Sequence, residues 1–79
     1  MKKIAIVTTV LTFDLETRGE GYRLCHTTAF NQRAAAELQA RDSKACFESA
    51  LDAARKRFDD DKIINPQIDE IIIQTVDLW

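Results

Sequence analysis

Between Ser43 and Phe58 the residues Phe47, Ala50, Leu51, Ala54 and Phe58 recur at helical spacing, while Lys44, Glu48, Asp52, Arg55 and Lys56 fall on the other side. That period predicts an amphipathic helix with one face laid on an apolar surface. Asp42 or Ser43 stands where a side-chain oxygen would accept the first free backbone N–H groups. Asp52 and Lys56 form a favourable i,i+4 pair. From Lys3 to Glu16 the period changes to two: Ala5, Val7, Thr9, Leu11, Phe13 and Leu15 alternate with Ile4, Ile6, Thr8, Val10, Thr12 and Asp14. This predicts a long strand, apolar on both faces at its start and on one face at its end. Thr17-Arg18-Gly19-Glu20-Gly21 reads as a hairpin turn, and Tyr22 to Ala29 as the returning strand. On that strand Tyr22, Leu24, His26 and Thr28 share a face opposite Arg23, Cys25, Thr27 and Ala29.

Residues 30–41 carry two conflicting signals. Ala34-Ala35-Ala36-Glu37-Leu38-Gln39-Ala40 has high helix propensity, yet the stretch Ala36 to Arg41 alternates strictly. A helical stripe through Phe30, Ala34 and Leu38, carried forward at 3.6 residues per turn, runs out of phase with Phe47 and breaks at Ala40-Arg41-Asp42. Two separate helices would meet across Asp42-Ser43 with almost no linker. The preferred reading is therefore a third strand, Arg33 to Arg41, feeding the helix, with a helix in this segment as the alternative. After Asp61 a loop containing Asn65-Pro66 is expected, since proline biases the residue before it away from helix. Ile68 to Leu78, with Ile71-Ile72-Ile73 apolar on both faces, reads as a closing strand.

These elements predict an α+β fold over residues 1–79 as one domain: an antiparallel sheet of three to four strands with one main amphipathic helix on one face. The order is β-β-β-α-β, or β-β-α-α-β in the alternative. One short helix covers one face of such a sheet. Ile4, Ile6, Val10, Tyr22, Leu24, part of Ile71–Ile73 and Trp79 are then too many apolar side chains to hide beneath it, leaving apolar surface for a partner or a second copy.

Size sharpens that point, because a 79-residue chain buries only about 60 to 65% of the surface its unfolded form exposes. A hydrophobic content of 46% with two glycines and one proline is that of an ordered protein. The net charge is −2, and from Arg41 onward nine carboxylates face six cations. The basic run Arg55-Lys56-Arg57 is followed at once by Asp59-Asp60-Asp61, so nucleic-acid binding is disfavoured. Lys2-Lys3 ahead of the apolar run Ile4 to Phe13 imitates a secretory signal, but three threonines interrupt the run and no small-residue cleavage site follows. The run is also too short to span a bilayer. The expected location is the cytoplasm, with no membrane association.

Candidate chemistry is sparse. Cys25 and His26 are adjacent, but neighbouring side chains on a strand point to opposite faces and cannot share the hydrogen bond that a nucleophile and base require. Cys25 and Cys46 are too few for a zinc ribbon; spacing leaves a disulfide between them open, and Cys46 beside the helix stripe is read preferentially as a buried free thiol. Asp59, Asp61 and Glu70 match positions one, three and twelve of an EF-hand loop, but Ile63 and Ile64 occupy the fifth and sixth, where a ligand and a glycine are required. No catalytic residue, metal ligand or cofactor site is assigned, and the chain is read as a non-enzyme.

In size, acidity and the order of strands, an Asp/Ser-capped Ala-rich helix and a closing strand, the chain resembles small phage-borne inhibitors of host machinery, anti-CRISPR proteins among them. The resemblance implies a protein that works by occupying a partner's surface, with acidic side chains competing for a nucleic-acid site. The leading expectation is thus a protein-binding module, an inhibitor or adaptor. Its candidate contact residues are Asp59, Asp60, Asp61, Asp69, Glu70, Tyr22 and Trp79. A structural homodimer with its sheets packed face to face is the second expectation. The third is a small nucleic-acid-binding domain using Arg18, Arg23, Arg33 and Arg41, which requires Arg23, Arg33 and Arg41 to converge on adjacent strands.

Overall fold

The computed structural model describes residues 2–78. β1 (Lys3–Leu15), β2 (Gly19–Phe30), α1 (Arg33–Arg41), α2 (Ser43–Arg57) and β3 (Ile63–Asp77) follow one another in the chain. The strands form one antiparallel sheet in the order β2-β1-β3. The order is therefore β-β-α-α-β, and the third strand expected at Arg33 to Arg41 is a helix. The strands are long for a three-stranded sheet and the molecule is elongated, 47 × 24 × 17 Å.

β1 is central because its sequence supplies a face for each side. Ala5, Val7, Thr9, Leu11, Phe13 and Leu15 are all buried against the helices. The β1–β2 hairpin turns through Glu16-Thr17-Arg18, with Leu15 paired to Gly19. Gly19 at φ 101° and Gly21 at φ 86° hold the left-handed backbone that this short connection needs.

Propensity wins over alternation at 33–41 because burial there has a helical period. Ala36 is fully buried and Ala40 packs beside it, four residues on, against Ala5 and Val7, whereas Leu38 is 71% exposed. A strand would have placed Ala36, Leu38 and Ala40 on one face. Arg33 and Glu37 add an i,i+4 ion pair at 3.1 Å.

Asp42 resolves the difficulty of the missing linker. Its N–H donates to the Gln39 carbonyl at 3.1 Å, closing α1, and its side chain accepts the Ala45 N–H at 3.1 Å, opening α2. The Cys46 thiol donates to the Gln39 carbonyl at 3.2 Å, tying the two helices across the bend. One residue at φ −91°, ψ 79° thus resets the helical phase at the position where the apolar stripe breaks. The buried line on α2 is Cys46, Ala50 and Ala54, with Phe47, Leu51 and Phe58 packed around it. Small residues at the centre let the helix backbone approach the sheet, while the larger ones close its sides.

The two helices cover different lengths of the same sheet face. α1 lies over Ala5, Val7, Phe30, Ile71 and Ile73, and α2 over Leu11, Phe13, Leu15, Tyr22, Leu24 and Ile63. β3 begins at Ile63 rather than Ile68, and the loop expected at Asn65-Pro66 is part of this strand. It is accommodated by bulging: the register to β1 shifts there and again at Asp69, and Asn65 takes φ 52°. Proline is tolerated because β3 is an edge strand and the bulge removes the ladder bond that it cannot donate.

Candidate binding surface

Among the described residues, nothing is layered over the face of the sheet away from the helices. Pairing places Ala29, Ile6 and Gln74 in one row across the three strands, Thr27, Thr8 and Ile72 in the next, and Cys25, Val10 and Glu70 in the third. Ile4 and Val76 extend the apolar end. Val10 is buried by its neighbours alone, and Ile72 is 42% exposed. The accessible surface is 5405 Å² for 9.0 kDa, against about 4,850 Å² expected for a compact monomer of this mass, an excess of roughly 550 Å². A single helical layer on long strands accounts for it.

At the far end of this face Arg23 donates to Asp69 at 2.7 Å and lies 3.8 Å from Glu70. Asp69 is the extra residue of a β3 bulge. The bulge turns its carboxylate to the same side as the Arg23 guanidinium, across Thr12 of β1.

The acidic trio after α2 sits elsewhere, against the hairpin turn. Asp61 accepts the Thr17 hydroxyl at 2.6 Å, the Thr17 N–H at 3.1 Å and the Lys62 N–H at 2.8 Å. Its carboxyl is held below the usual 3.8, chiefly by the Thr17 hydroxyl; enclosure opposes this, while the Lys62 and Thr17 N–H groups and the Arg18 charge support it. Arg18 also pairs with Asp60 and lies 5.8 Å over the Phe58 ring. Asp61 is the clamp that fastens the β1–β2 turn to the start of β3. Asp59, Asp60 and Asp61 line an open cleft of about 620 Å³ with Glu16, Arg55 and Lys62.

The expected contact residues do not form one patch. Asp60 and Asp61 are engaged by Arg18 and Thr17 at the hairpin end, and Asp69 and Glu70 by Arg23 on the open face. Tyr22 is on the helix side, its ring 6.1 Å from Phe13 and 5.8 Å from Phe58, in the aromatic cluster that seals the core. Trp79 lies outside the described residues. The arginines do not converge either. Arg23 is on the open face of β2, whereas Arg33 and Arg41 are on α1, where Arg33 donates to Thr75 at 2.8 Å. Cys25 is exposed on the open face and His26 is on the opposite one; Cys46 is buried, and both thiols are free. Among the described residues no three His, Cys, Asp or Glu side chains gather as a metal site, and no helix is long and apolar enough to cross a membrane.

Residues that sequence reasoning passes over include Leu38, Thr8 and Thr27. Spacing puts Leu38 on an apolar stripe, but α1 buries Ala36 and Ala40 instead and points Leu38 outward. The threonines line the middle of the open face, and their β-branched character is the available signal. Compared with known proteins, the chain matches no family model, no curated protein and no solved structure.

Proposed function

We propose that the protein is a non-enzymatic binding module that acts by occupying the surface of a protein partner with the uncovered face of its sheet. The observation that carries this is the one-sided layering: two helices on one face, and Ile4, Ile6, Ile72 and Val76 without a covering element on the other. An apolar strip on paired strands, bounded at one end by the Arg23–Asp69–Glu70 cluster, has the character of an interface centre with a polar rim. Size, acidity and element order support a specific form of the reading, an inhibitor of the phage-borne kind directed at host machinery. The sheet face carries the reading better than the acidic residues do, since four of the five carboxylates are already engaged within the chain. Competition for a nucleic-acid site by those carboxylates is correspondingly less favoured.

The test uses the wild-type protein and a Thr8→Asp/Ile72→Asp variant as immobilised baits in one lysate. Both side chains are on the open face, so the variant keeps its core. Proteins retained by the wild type and lost with the variant are the expected result. Identical retention by both baits, or salt-sensitive binding of single-stranded RNA by the wild type, would sink the proposal.

A further inference from the structure

The two edges of the sheet are not equivalent. β3 is interrupted by two register shifts and by Pro66, features that blunt an edge against pairing. β2 pairs with β1 without a shift from Tyr22 to Phe30, and among the described residues its outer row of N–H and C=O groups faces no other strand. Leu24 to Phe30, the run Leu-Cys-His-Thr-Thr-Ala-Phe, contains no Asp, Glu, Lys or Arg. Beside this edge on the helix side is an open groove of about 660 Å³, lined by Phe30 of β2, by Ala35, Leu38, Gln39 and Arg41 of α1, and by Asp42. Leu38 is the most exposed large apolar side chain among the described residues.

We propose that β2 pairs antiparallel with β2 of a second copy about a twofold axis at Thr27, joining two three-stranded sheets into one of six strands. This register matches the whole uncharged run to itself. Leu24 faces Phe30 of the second copy, Cys25 faces Ala29, His26 faces Thr28, and the two Thr27 residues face each other. Leu24 and Phe30 are both on the helix side, so Leu24 of each copy enters the groove beside Phe30 and Leu38 of the other. Aliphatic–aromatic pairs directly across strands stabilise such a junction, and no charge is set against a like charge. The two register shifts and Pro66 on β3 leave β2 as the self-pairing edge. This inference does not depend on what the open face binds; pairing at β2 leaves that face free and makes it continuous across both copies.

Light scattering on the wild-type chain at 100 µM is expected to give twice the monomer mass, and the Thr27→Asp variant the monomer mass. Thr27 is exposed, so the aspartate is harmless in the monomer but sets two carboxylates opposite each other in the pair. An Ala29→Cys variant treated with oxidised glutathione is expected to form a covalent dimer, because directly opposed strand residues lie within disulfide reach. The bond joins Cys25 of one copy to the thiol introduced at position 29 of the other, and each such bond reduces one glutathione disulfide to two thiols. Combining Ala29→Cys with Thr27→Asp should abolish the crosslink. A monomeric wild type, or a dimer unchanged by Thr27→Asp and not captured by Ala29→Cys, would overturn the inference. A dimer dissolved instead by Thr8→Asp/Ile72→Asp would also overturn it, and would place self-association on the sheet face.

Discussion

Thr17 and Asp61 meet at 2.6 Å across 44 positions of chain, and through them the hairpin turn is fastened to the entry of β3. The hydroxyl, two backbone N–H groups and the nearby Arg18 all favour the ionised carboxylate, and its pKa falls below the usual 3.8. A depressed folded-state pKa means that the stabilisation is fully present above the unfolded value and is lost as pH falls through the folded one. Urea midpoints should therefore be flat from pH 7 to 5 as far as this group is concerned, and fall below about pH 4. Asp61→Asn and Thr17→Val should both lower the midpoint at pH 7 and reduce its fall in acid. A wild-type acid profile shared by both variants would show that other carboxylates are responsible.

Asp42 is the joint between the helices, and its carboxylate accepts the Ala45 N–H at 3.1 Å. Replacing it with alanine removes the α2 cap, and we expect a loss of about 1 kcal/mol in chemical denaturation. Asparagine keeps an acceptor oxygen and should recover most of that loss. Equal destabilisation by alanine and asparagine would show that the cap bond contributes little.

The strands and α2 are legible in the sequence because each is long enough for its period to show. Lys3 to Leu15 alternates over thirteen residues, and nothing in that stretch competes. Arg33 to Arg41 is only nine residues: Ala36, Leu38 and Ala40 alternate as a strand does, while Ala36 and Ala40 are also one helical turn apart, and burial chooses between the two. The deciding fact, a one-residue phase reset at Asp42, is a backbone angle rather than a composition. The entry into β3 is hidden for a related reason. Asn65-Pro66 is a turn signal in isolation, and only pairing to an edge of β1 turns it into a bulge. The separation of Asp60 and Asp61 from Asp69 and Glu70 is equally out of reach, since it depends on which arginine each group meets.

Leu11 is fully buried in the cluster with Phe13, Leu15, Ala50 and Ala54. Its truncation to alanine leaves a cavity under α2 that paired strands on either side close poorly. We expect Leu11→Ala to cost about 2–5 kcal/mol in urea unfolding. A loss below about 1 kcal/mol would mean that α2 settles into the space, and that the small-residue line Cys46-Ala50-Ala54 is less constrained than its burial implies.

Ile72 provides the contrast, being on the open face at 42% exposure with Thr8 beside it on β1. Substituting aspartate there removes a β-branched side chain from a strand and places a charge opposite Thr8, between Gln74 and Glu70 on the same face of β3. The cost to the isolated chain is set by strand preference, whose whole range is about 1 kcal/mol. Ile72→Asp should therefore leave the urea midpoint close to that of the wild type while removing partner retention in the bait comparison. The dissociation of those two readouts is the informative result. A core residue loses both, a solvated residue loses neither, and only an interface residue loses binding while keeping its fold.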